Sequence, residues 1–358
     1  MSHQELPPIS ITPGAIRFNT DSMKLEYFRI GMEGGSTSSY AGIGTLAAGE
    51  WVQITTDSPD IQTGGTRGFA FGCVAPTYNN YYYNISSTGN AIDFGNFSSD
   101  RYFCSATSDR TRAVVDSGEG TMTSKQYFTM ASGGGGTTFG NVSYHPSNGH
   151  RAAGAISNGI RAVFAGGDDF VTYSFNNIEY VTIQSTGTAV DFGDLYTATR
   201  LTATGNSTTR GIFAGGDSGP AFTNVIQFIT TSTLGNSADF GDISVAKYGP
   251  SGCSNATRMV ISGGISGTTY YNTIEYITIA TLGNAQDFGD LTVGRGASAA
   301  AASSTRGCFA GGDIAPGTRT NTIDYLTIMS TGNAIDFGDL LENTYVIGGT
   351  SNGHGGLG

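Results

Sequence analysis

The chain has 358 residues, of which 55 are glycine and only 13% are charged, and its formal net charge is −11. A strongly acidic chain repels nucleic-acid backbones and anionic lipid surfaces, so we expect neither as a partner. No apolar run approaches the roughly 20 residues that a membrane-spanning helix needs, and we expect no membrane insertion.

Residues 1–62 read differently from the remainder of the chain. Two short strands are predicted in Ile11–Phe28 around a turn at Asn19–Ser22, and a third in Gly49–Thr55. Pro7, Pro8 and Pro13 favour an extended arm ahead of these strands. The first residues lack the basic and apolar segments of a signal peptide, so we expect no secretion signal.

From residue 63 onward, one motif recurs with a period of about 48 residues. Its clearest copies are GNAIDFGN, GTAVDFGD, GNSADFGD, GNAQDFGD and GNAIDFGD, with a weaker copy GGTTFGNV. Their phenylalanines are Phe94, Phe139, Phe192, Phe240, Phe288 and Phe337. A catalytic Asp-Phe-Gly triplet of the protein-kinase type is needed once per active site. Six copies at one period therefore indicate a repeat architecture.

Each repeat carries further strand signals. An arginine opens a short apolar stretch, as in RAVFAGGD at Arg161–Asp168, and an alternating segment such as IEYVTI at Ile178–Ile183 follows. The DFGD motif and a stretch of small residues complete the unit. Long amphipathic helical patterns are absent from the sequence. Four short strands per repeat are typical of a β-propeller blade, and we predict an all-β protein.

The repeat resembles the kelch repeat. The resemblance rests on the glycine pair Gly166-Gly167 at the end of one strand, on Tyr180 in the next strand and on a closing aromatic residue, Phe192. Phenylalanine stands here where the kelch family has tryptophan. The resemblance implies a β-propeller spanning residues 63–358.

The order of strands predicts how the ring closes. Glu342–Gly353 resembles a first strand without successors, whereas the repeat that starts at Arg67 lacks a first strand. Joining the two gives six four-stranded blades closed by the C-terminal strand and leaves no exposed edge. A seven-bladed ring that uses residues before Trp51 is the alternative.

The repeat arginine and the first motif aspartate recur together, and we interpret them as a structural ring of charge-assisted hydrogen bonds. Its members are Arg67, Arg161, Arg210, Arg258, Arg306, Asp93, Asp191, Asp239, Asp287 and Asp336. A calcium ladder through these carboxylates is the alternative, but no DxDxDG-like loop accompanies them. We expect no metal and no cofactor.

The loops that join second and third strands vary most, and they should share one face of the ring. Several mix tyrosine with Asn, Asp and Ser, which suits contacts with sugars or proteins. The candidate binding residues are Tyr81, Tyr82, Tyr83, Phe170, Tyr173, Tyr270 and Tyr271. His145 and His150 are expected to be exposed loop histidines, and no residue grouping predicts a catalytic site. We expect no enzyme activity.

The N-terminal pattern GAIRFNTDSMKLEYF followed by GEWVQI resembles small β-modules that precede repeat or fibre domains in structural proteins of tailed bacteriophages. Such modules attach or oligomerise their proteins. The resemblance implies a virion protein, a tail fibre, spike or capsid-attached fibre, made in the host cytoplasm. It would bind other virion proteins through residues 1–62, form a homo-oligomer, and display the propeller for decoration or for binding a host surface glycan or protein. A glycan-binding lectin or glycan-active enzyme is the alternative.

Overall fold

The structure, a computed structural model, describes residues 15–19, 24–30, 49–53, 66–72, 79–98, 101, 103–116, 118, 123–143, 150–169, 173–345 and 348–357. The chain divides into two compact units, Met1–Gln62 and Thr63–Gly358. Apart from one short 3₁₀ turn, the regular structure in the described ranges is β-strand. No helix in those ranges has the length and apolarity to cross a bilayer.

The first unit contains a three-stranded antiparallel sheet made of β1 (Ile16–Asn19), β2 (Lys24–Ile30) and β3 (Gly49–Gln53). The central strand β2 pairs with both neighbours, and the three strands fall where the sequence predicts them.

The second unit is a ring of six four-stranded antiparallel blades, which confirms the predicted propeller. Blade 1 contains β4 (Arg67–Phe71), β5 (Asn79–Asn84) and β6 (Ile92–Asn96), and blade 2 contains β7 (Ala106–Ser108), β8 (Arg112–Val115), β9 (Ser124–Thr129) and β10 (Thr137–Asn141). Blade 3 contains β11 (Gly154–Ser157), β12 (Arg161–Ala165), β13 (Asn177–Thr182) and β14 (Val190–Asp194). Blade 4 contains β15 (Ala203–Asn206), β16 (Arg210–Asp217), β17 (Phe222–Thr230) and β18 (Ala238–Asp242).

Two of the remaining blades carry an extra hairpin between their second and third strands. Blade 5 contains β19 (Ser251–Ser254), β20 (Arg258–Ser262), β23 (Thr273–Thr278) and β24 (Gln286–Asp290), with the hairpin β21 (Ile265–Ser266) and β22 (Thr269–Tyr270). Blade 6 contains β25 (Ala299–Ala302), β26 (Arg306–Ala310), β29 (Thr322–Thr327) and β30 (Ile335–Asp339), with the hairpin β27 (Asp313–Ala315) and β28 (Thr318–Arg319).

The last strand, β31 (Gly348–Ser351), closes the ring. It pairs antiparallel with β4, with Gly348 opposite Phe71 and Ser351 opposite Gly68, and so becomes the first strand of blade 1. The six-bladed prediction with C-terminal closure is therefore confirmed, and the seven-bladed alternative is wrong.

The first strand of every blade lies at the centre of the ring, where six backbones converge and leave room only for small side chains. A side-chain carbon added at Gly349 in blade 1 would lie 2.3 Å from the carbonyl oxygen of Ala300 in blade 6. Hydroxyl groups join neighbouring inner strands: the Ser254 hydroxyl donates to the carbonyl of Asn206, and the Ser108 hydroxyl donates to that of Ser351. The small-residue stretches of the sequence are thus explained by crowding at the axis.

The channel rim has its own backbone hydrogen-bond belt. Phe103, Ala152, Leu201 and Ala297 take positive φ angles of 53° to 56° at equivalent positions just before the inner strands, and Gly249 takes 63°. This conformation turns each N–H towards the preceding blade, so that Ala152 donates to the Phe103 carbonyl at 2.7 Å and Leu201 to that of Ala152 at 2.8 Å. These hydrogen bonds therefore offset the strain of a positive φ angle, which non-glycine residues seldom adopt.

The GN…DFGD motif joins neighbouring blades at the outside of the ring. Between blades 5 and 6, the N–H groups of Gly332 and Ala334 donate to the carbonyls of Phe288 and Asp290, each at 2.8 Å, and the Asp290 N–H donates to the Asn333 side chain. The two backbone bonds recur at all six blade junctions. The otherwise open outer edge of each blade is thereby covered by its neighbour's hairpin.

A β-bulge aims the motif phenylalanine into the space between blades. In blade 3, Ile178 is opposite Gly193 and Glu179 is opposite Asp191, so that Phe192 has no partner in the ladder and points inward. The six motif phenylalanines are at most 4% exposed. The motif phenylalanines therefore fill the space between blades.

The predicted arginine–aspartate ring is wrong. Each repeat arginine lies over an aromatic ring of its own blade and donates to a backbone carbonyl of the next blade; Arg258, for example, lies 4.1 Å from the Tyr276 ring centroid and donates to Ile328 at 3.0 Å. The other five do the same; these are Arg67, Arg112, Arg161, Arg210 and Arg306.

The motif aspartates lie on the other side of the bulge. Because the phenylalanine after them points inward, the side chains of Asp93, Asp191, Asp239, Asp287 and Asp336 are exposed to solvent. In the described part of the chain, none of them forms an ion pair with a repeat arginine. The two residue types recur together because both belong to the blade repeat, without contacting each other.

Candidate binding face

The connections between second and third strands emerge on one face of the ring, here called the hairpin face. The connections from each outer strand to the next inner strand emerge on the same face, because the blades are antiparallel. In blade 4 the strands β16 and β17 extend past the blade and pair as far as Asp217 and Phe222. With the β21–β22 and β27–β28 hairpins, blades 4, 5 and 6 carry three adjacent projections.

Three of the predicted binding residues do not reach this face. Tyr81 and Tyr83 are 0% and 2% exposed and pack in the core between blades 6 and 1, and Tyr82 is half-buried under the Arg67 guanidinium. The three residues belong to β5 and not to a loop. Aligning Asn80-Tyr81-Tyr82 with Ile178-Glu179-Tyr180 of the third repeat would have shown this, but the three consecutive tyrosines hid the strand pattern.

Three other predicted residues do lie on the hairpin face. Tyr173 is 58% exposed, and Tyr270 and Tyr271 are half-buried at the end of the β21–β22 hairpin. The seventh, Phe170, lies outside the described residues.

Charged residues that the sequence reasoning missed form a chain beside these tyrosines. The carboxylate of Asp168 bonds to Arg151 and to Arg200, and Arg200 also bonds to Asp217 at 2.8 Å. The Arg200 guanidinium lies 4.2 Å from the centroid of the Tyr173 ring. Hydrogen bonding and stacking together hold this edge of the face in one geometry.

Aromatic contacts continue from there to blades 5 and 6. Phe222 at the tip of the blade 4 extension packs on Tyr248 with ring centroids 4.8 Å apart. On the blade 6 side, the Arg319 guanidinium lies 4.5 Å from the Tyr345 ring. The repeat position of Tyr248 is held by Arg151 and Arg200 in earlier blades, and this alignment was the sequence signal that could have identified the group.

Asp313 gives this part of the face a carboxylate that is only weakly engaged. Among the residues that the structure describes, its nearest cation is Arg319, at 3.7 Å. Burial raises the pKa of Asp313, and Arg319 offsets part of that rise. Burial also raises the pKa of Tyr248, with Tyr270 and Asp313 adding to it, so these phenols keep their protons at neutral pH. The Asp313 carboxylate thus lies near enough to the Tyr248 and Tyr270 hydroxyls to raise the pKa of both phenols.

The central channel is a poor ligand site by comparison. At one end of the channel, residues such as Ser105, Thr202 and Ser251 line a cavity of about 40 Å³, which has room for very few water molecules. At the opposite end, the segment after β31 enters the channel: His354 contacts the Ser108 carbonyl at 2.8 Å, and Arg110 donates to the Leu357 carbonyl at 2.7 Å. The hairpin face is therefore the better candidate site.

The expectation that His150 is an exposed loop histidine is wrong. Its side chain is buried between blades 2 and 3, with Nε2 2.6 Å from the Gly166 carbonyl and Nδ1 2.8 Å from Asp116. The reason is that His150 occupies the position before the inner strand that Lys247 and Arg295 hold in later blades, and this position points into the ring. His145 lies outside the described residues.

Neither a known protein-family model nor a curated protein sequence matches this chain.

Proposed function

We propose that the protein is a structural component of a tailed-phage virion, in which the N-terminal unit attaches the chain and the hairpin face of the propeller binds the host surface. The observation that carries the proposal is the division of the chain into a small β unit and a propeller with three adjacent projections on one face. The sequence of the first unit resembles phage attachment modules, and the second unit offers a rigid platform for binding.

The chemistry of the hairpin face favours binding over catalysis. Its aromatic rings and its carboxylate and guanidinium groups suit hydrogen bonding to hydroxyls and stacking on apolar surfaces of a sugar or a protein. The charged groups largely bond to each other, as in the Asp168–Arg200–Asp217 chain, which holds them as a recognition surface.

A glycan-active enzyme on the same face is the second candidate. Asp313 favours it, since a carboxyl group whose pKa is raised by burial can act as a general acid. A free-standing glycan-binding lectin would use the same groups without turnover.

Residues 1–62 provide the first test, on attachment and oligomer formation. We expect the full chain to enter virions as a homo-oligomer together with other virion proteins, and a chain of residues 63–358 to stay outside the particle. Particle composition by mass spectrometry measures the difference. A truncated chain that is packaged as well as the full chain would contradict the attachment role.

The hairpin face provides the second test. Replacing both Tyr173 and Tyr270 by alanine should weaken binding of the purified protein to host cells by about tenfold or more, because exposed aromatic anchors dominate binding energy. Ile160→Ala is the matched control, since Ile160 is 67% exposed in the turn after an inner strand, on the opposite face. Equal binding by both variants would place recognition elsewhere, and release of sugar from host polysaccharide would favour the enzyme.

A further inference from the structure

Four ionisable side chains meet between blades 2 and 3, away from water. Lys125 Nζ lies 2.5 Å from Asp116 Oδ1 and 2.7 Å from Glu179 Oε1, and His150 Nδ1 lies 2.8 Å from Asp116 Oδ2. The side chains of Lys125 and Asp116 are 0% and 1% exposed. The ring of Phe164 covers the ammonium group, with its centroid 3.9 Å from Nζ.

The other repeats show that the fold does not need this pair. The position of Lys125 holds isoleucine in blades 3 to 6, and the position of Asp116 holds alanine or serine there; the residues are Ile178, Ile226, Ile274, Ile323, Ala165, Ala214, Ser262 and Ala310. A buried ion pair is frequently no more stable than the apolar residues that could replace it. Repeat 2 therefore carries a substitution that packing alone does not explain.

The arrangement resembles a reaction site more than a salt bridge. The Lys125 amine contacts both the Asp116 carboxyl group and the Glu179 carboxylate. The His150 imidazole contacts the second oxygen of Asp116, which does not face the amine. Held together this way, two groups react as if at effective concentrations of roughly 10⁵ M or more. Exclusion of water removes the main competitor for the product amide.

We propose that Lys125 and Asp116 condense spontaneously to a side-chain amide, a covalent isopeptide bond that joins β9 to the end of β8. Glu179 accepts a proton from the Lys125 ammonium, and the freed amine attacks the Asp116 carboxyl carbon. The bond from that carbon to Oδ2 then breaks, while His150 supplies a proton to the departing oxygen. The nitrogen gives its second proton to the same oxygen, which leaves as one water molecule, and keeps its third proton as the amide N–H. The proton held by Glu179 replaces the one that His150 gave, so both groups return to their starting states.

The protonation states before reaction are set by the cluster itself. Burial lowers the pKa of Lys125, but Asp116 and Glu179 more than offset this and raise it above its ordinary value. Burial likewise lowers the pKa of His150, and Asp116 outweighs that effect, so the imidazole holds a proton at higher pH than a free histidine does. Since Nε2 donates to the Gly166 carbonyl, the extra proton sits on Nδ1, facing Asp116.

The same cluster also contains the ligand set of a metal site. Asp116, His150 and Glu179 offer ligand atoms within 4.8 Å of one another. Lys125 Nζ contacts two of these three groups and already supplies the positive charge that a metal ion would bring. The geometry thus favours amine chemistry at this position.

The intact mass of the denatured full-length protein tests the bond directly. We expect it to lie one water molecule below the mass that the sequence gives. Trypsin should fail to cut after Lys125, and the loss should fall within the fragment from Ala113 to Arg151, which contains no other lysine or arginine before its end. A mass equal to that of the sequence, with normal cleavage at Lys125, would show an ion pair only and overturn the proposal.

Four variants separate chemistry from folding. Glu179→Gln should retain the water, whereas Glu275→Gln, at the same repeat position in blade 5 beside Lys247, should still lose one. Asp116→Asn should lose ammonia instead and reach the same final mass as the wild type. If Glu179→Gln condenses as fully as wild type, Glu179 is not the proton acceptor; if Lys125→Arg shows the same mass loss, the bond is not at Lys125.

Discussion

At the scale of single residues, the repeat arginines show how one side chain can serve two neighbours. The guanidinium of Arg258 uses its flat face on Tyr276 and its edge on the carbonyl of Ile328, one blade away. A planar group with several N–H donors can make both contacts at once, which lysine cannot. The arginine thereby ties an aromatic core residue to the backbone of the next blade.

Replacing Arg258 by methionine should lower the free energy of unfolding by about 1–3 kcal/mol, because the Ile328 carbonyl loses its donor and Tyr276 its cation. Urea unfolding followed by tyrosine fluorescence measures the change. The matched control is Asp287→Asn on the exposed side of the same blade, which should stay within about 0.5 kcal/mol of wild type. Equal losses in the two variants would revive the ion-pair interpretation.

At the scale of strands and turns, the DFGD motif acts as a junction between blades. Its glycine has no space for a side chain, since a carbon added at Gly289 would lie 2.4 Å from the carbonyl oxygen of Gly332. The φ angle of Gly289, 149°, is also one that other residues rarely adopt. The glycine of the motif is therefore required because the backbones of two neighbouring blades approach closely at this position.

Gly289→Ala should destabilise the protein by about 2–4 kcal/mol, because both the backbone angle and the neighbouring hairpin oppose the new methyl group. Gly187→Ala is the control, as no atom lies within 4 Å of the added carbon at that glycine. Thermal unfolding of the two variants should differ clearly. A Gly289→Ala variant as stable as Gly187→Ala would mean that the blades separate at little cost.

The sequence predicted the strands and the closure of the ring well, because each follows from a single pattern in the repeat. Repeat spacing and alternation located the strands, and the missing first strand of Arg67's repeat predicted the closure. Contacts between blades could not be predicted from the sequence. Asp287 and Arg258 recur with the same period, yet a bulge turns Asp287 to solvent, whereas Arg258 points to the next blade. The hairpin face was found only in part, because Tyr81 sits in a strand and Tyr248 in a connection that no tyrosine pattern marks.

At the scale of the whole molecule, stability depends on the seam, the place in blade 1 where the last strand of the ring meets the first. There β31 pairs with β4. The turn between β5 and β6 also binds blade 6, because the N–H groups of Gly89 and Ala91 donate to the carbonyls of Phe337 and Asp339 at 2.9 Å and 2.8 Å. Every other junction is continuous along the chain.

Deleting Glu342–Gly358 should lower the melting temperature of the entire propeller, because blade 1 then exposes the edge of β4 and the inner ring loses one of six strands. A circular permutant that carries residues 342–358 directly ahead of Thr66 should restore the wild-type melt. Scanning calorimetry distinguishes the cases. An unchanged melt in the deletion, or no recovery in the permutant, would show that ring closure adds little.

The backbone-to-backbone hydrogen bonds of the outer junctions share one direction: in each described junction, the turn between the third and fourth strands of a blade donates to the blade before it. A ring opened at the seam would therefore present complementary ends, a donor at blade 1 and an acceptor at blade 6. Such ends fit another copy as well as their own, so loss of closure should yield head-to-tail filaments instead of inert fragments. We therefore expect the pairing of β31 with β4 to keep the subunit from polymerising as well.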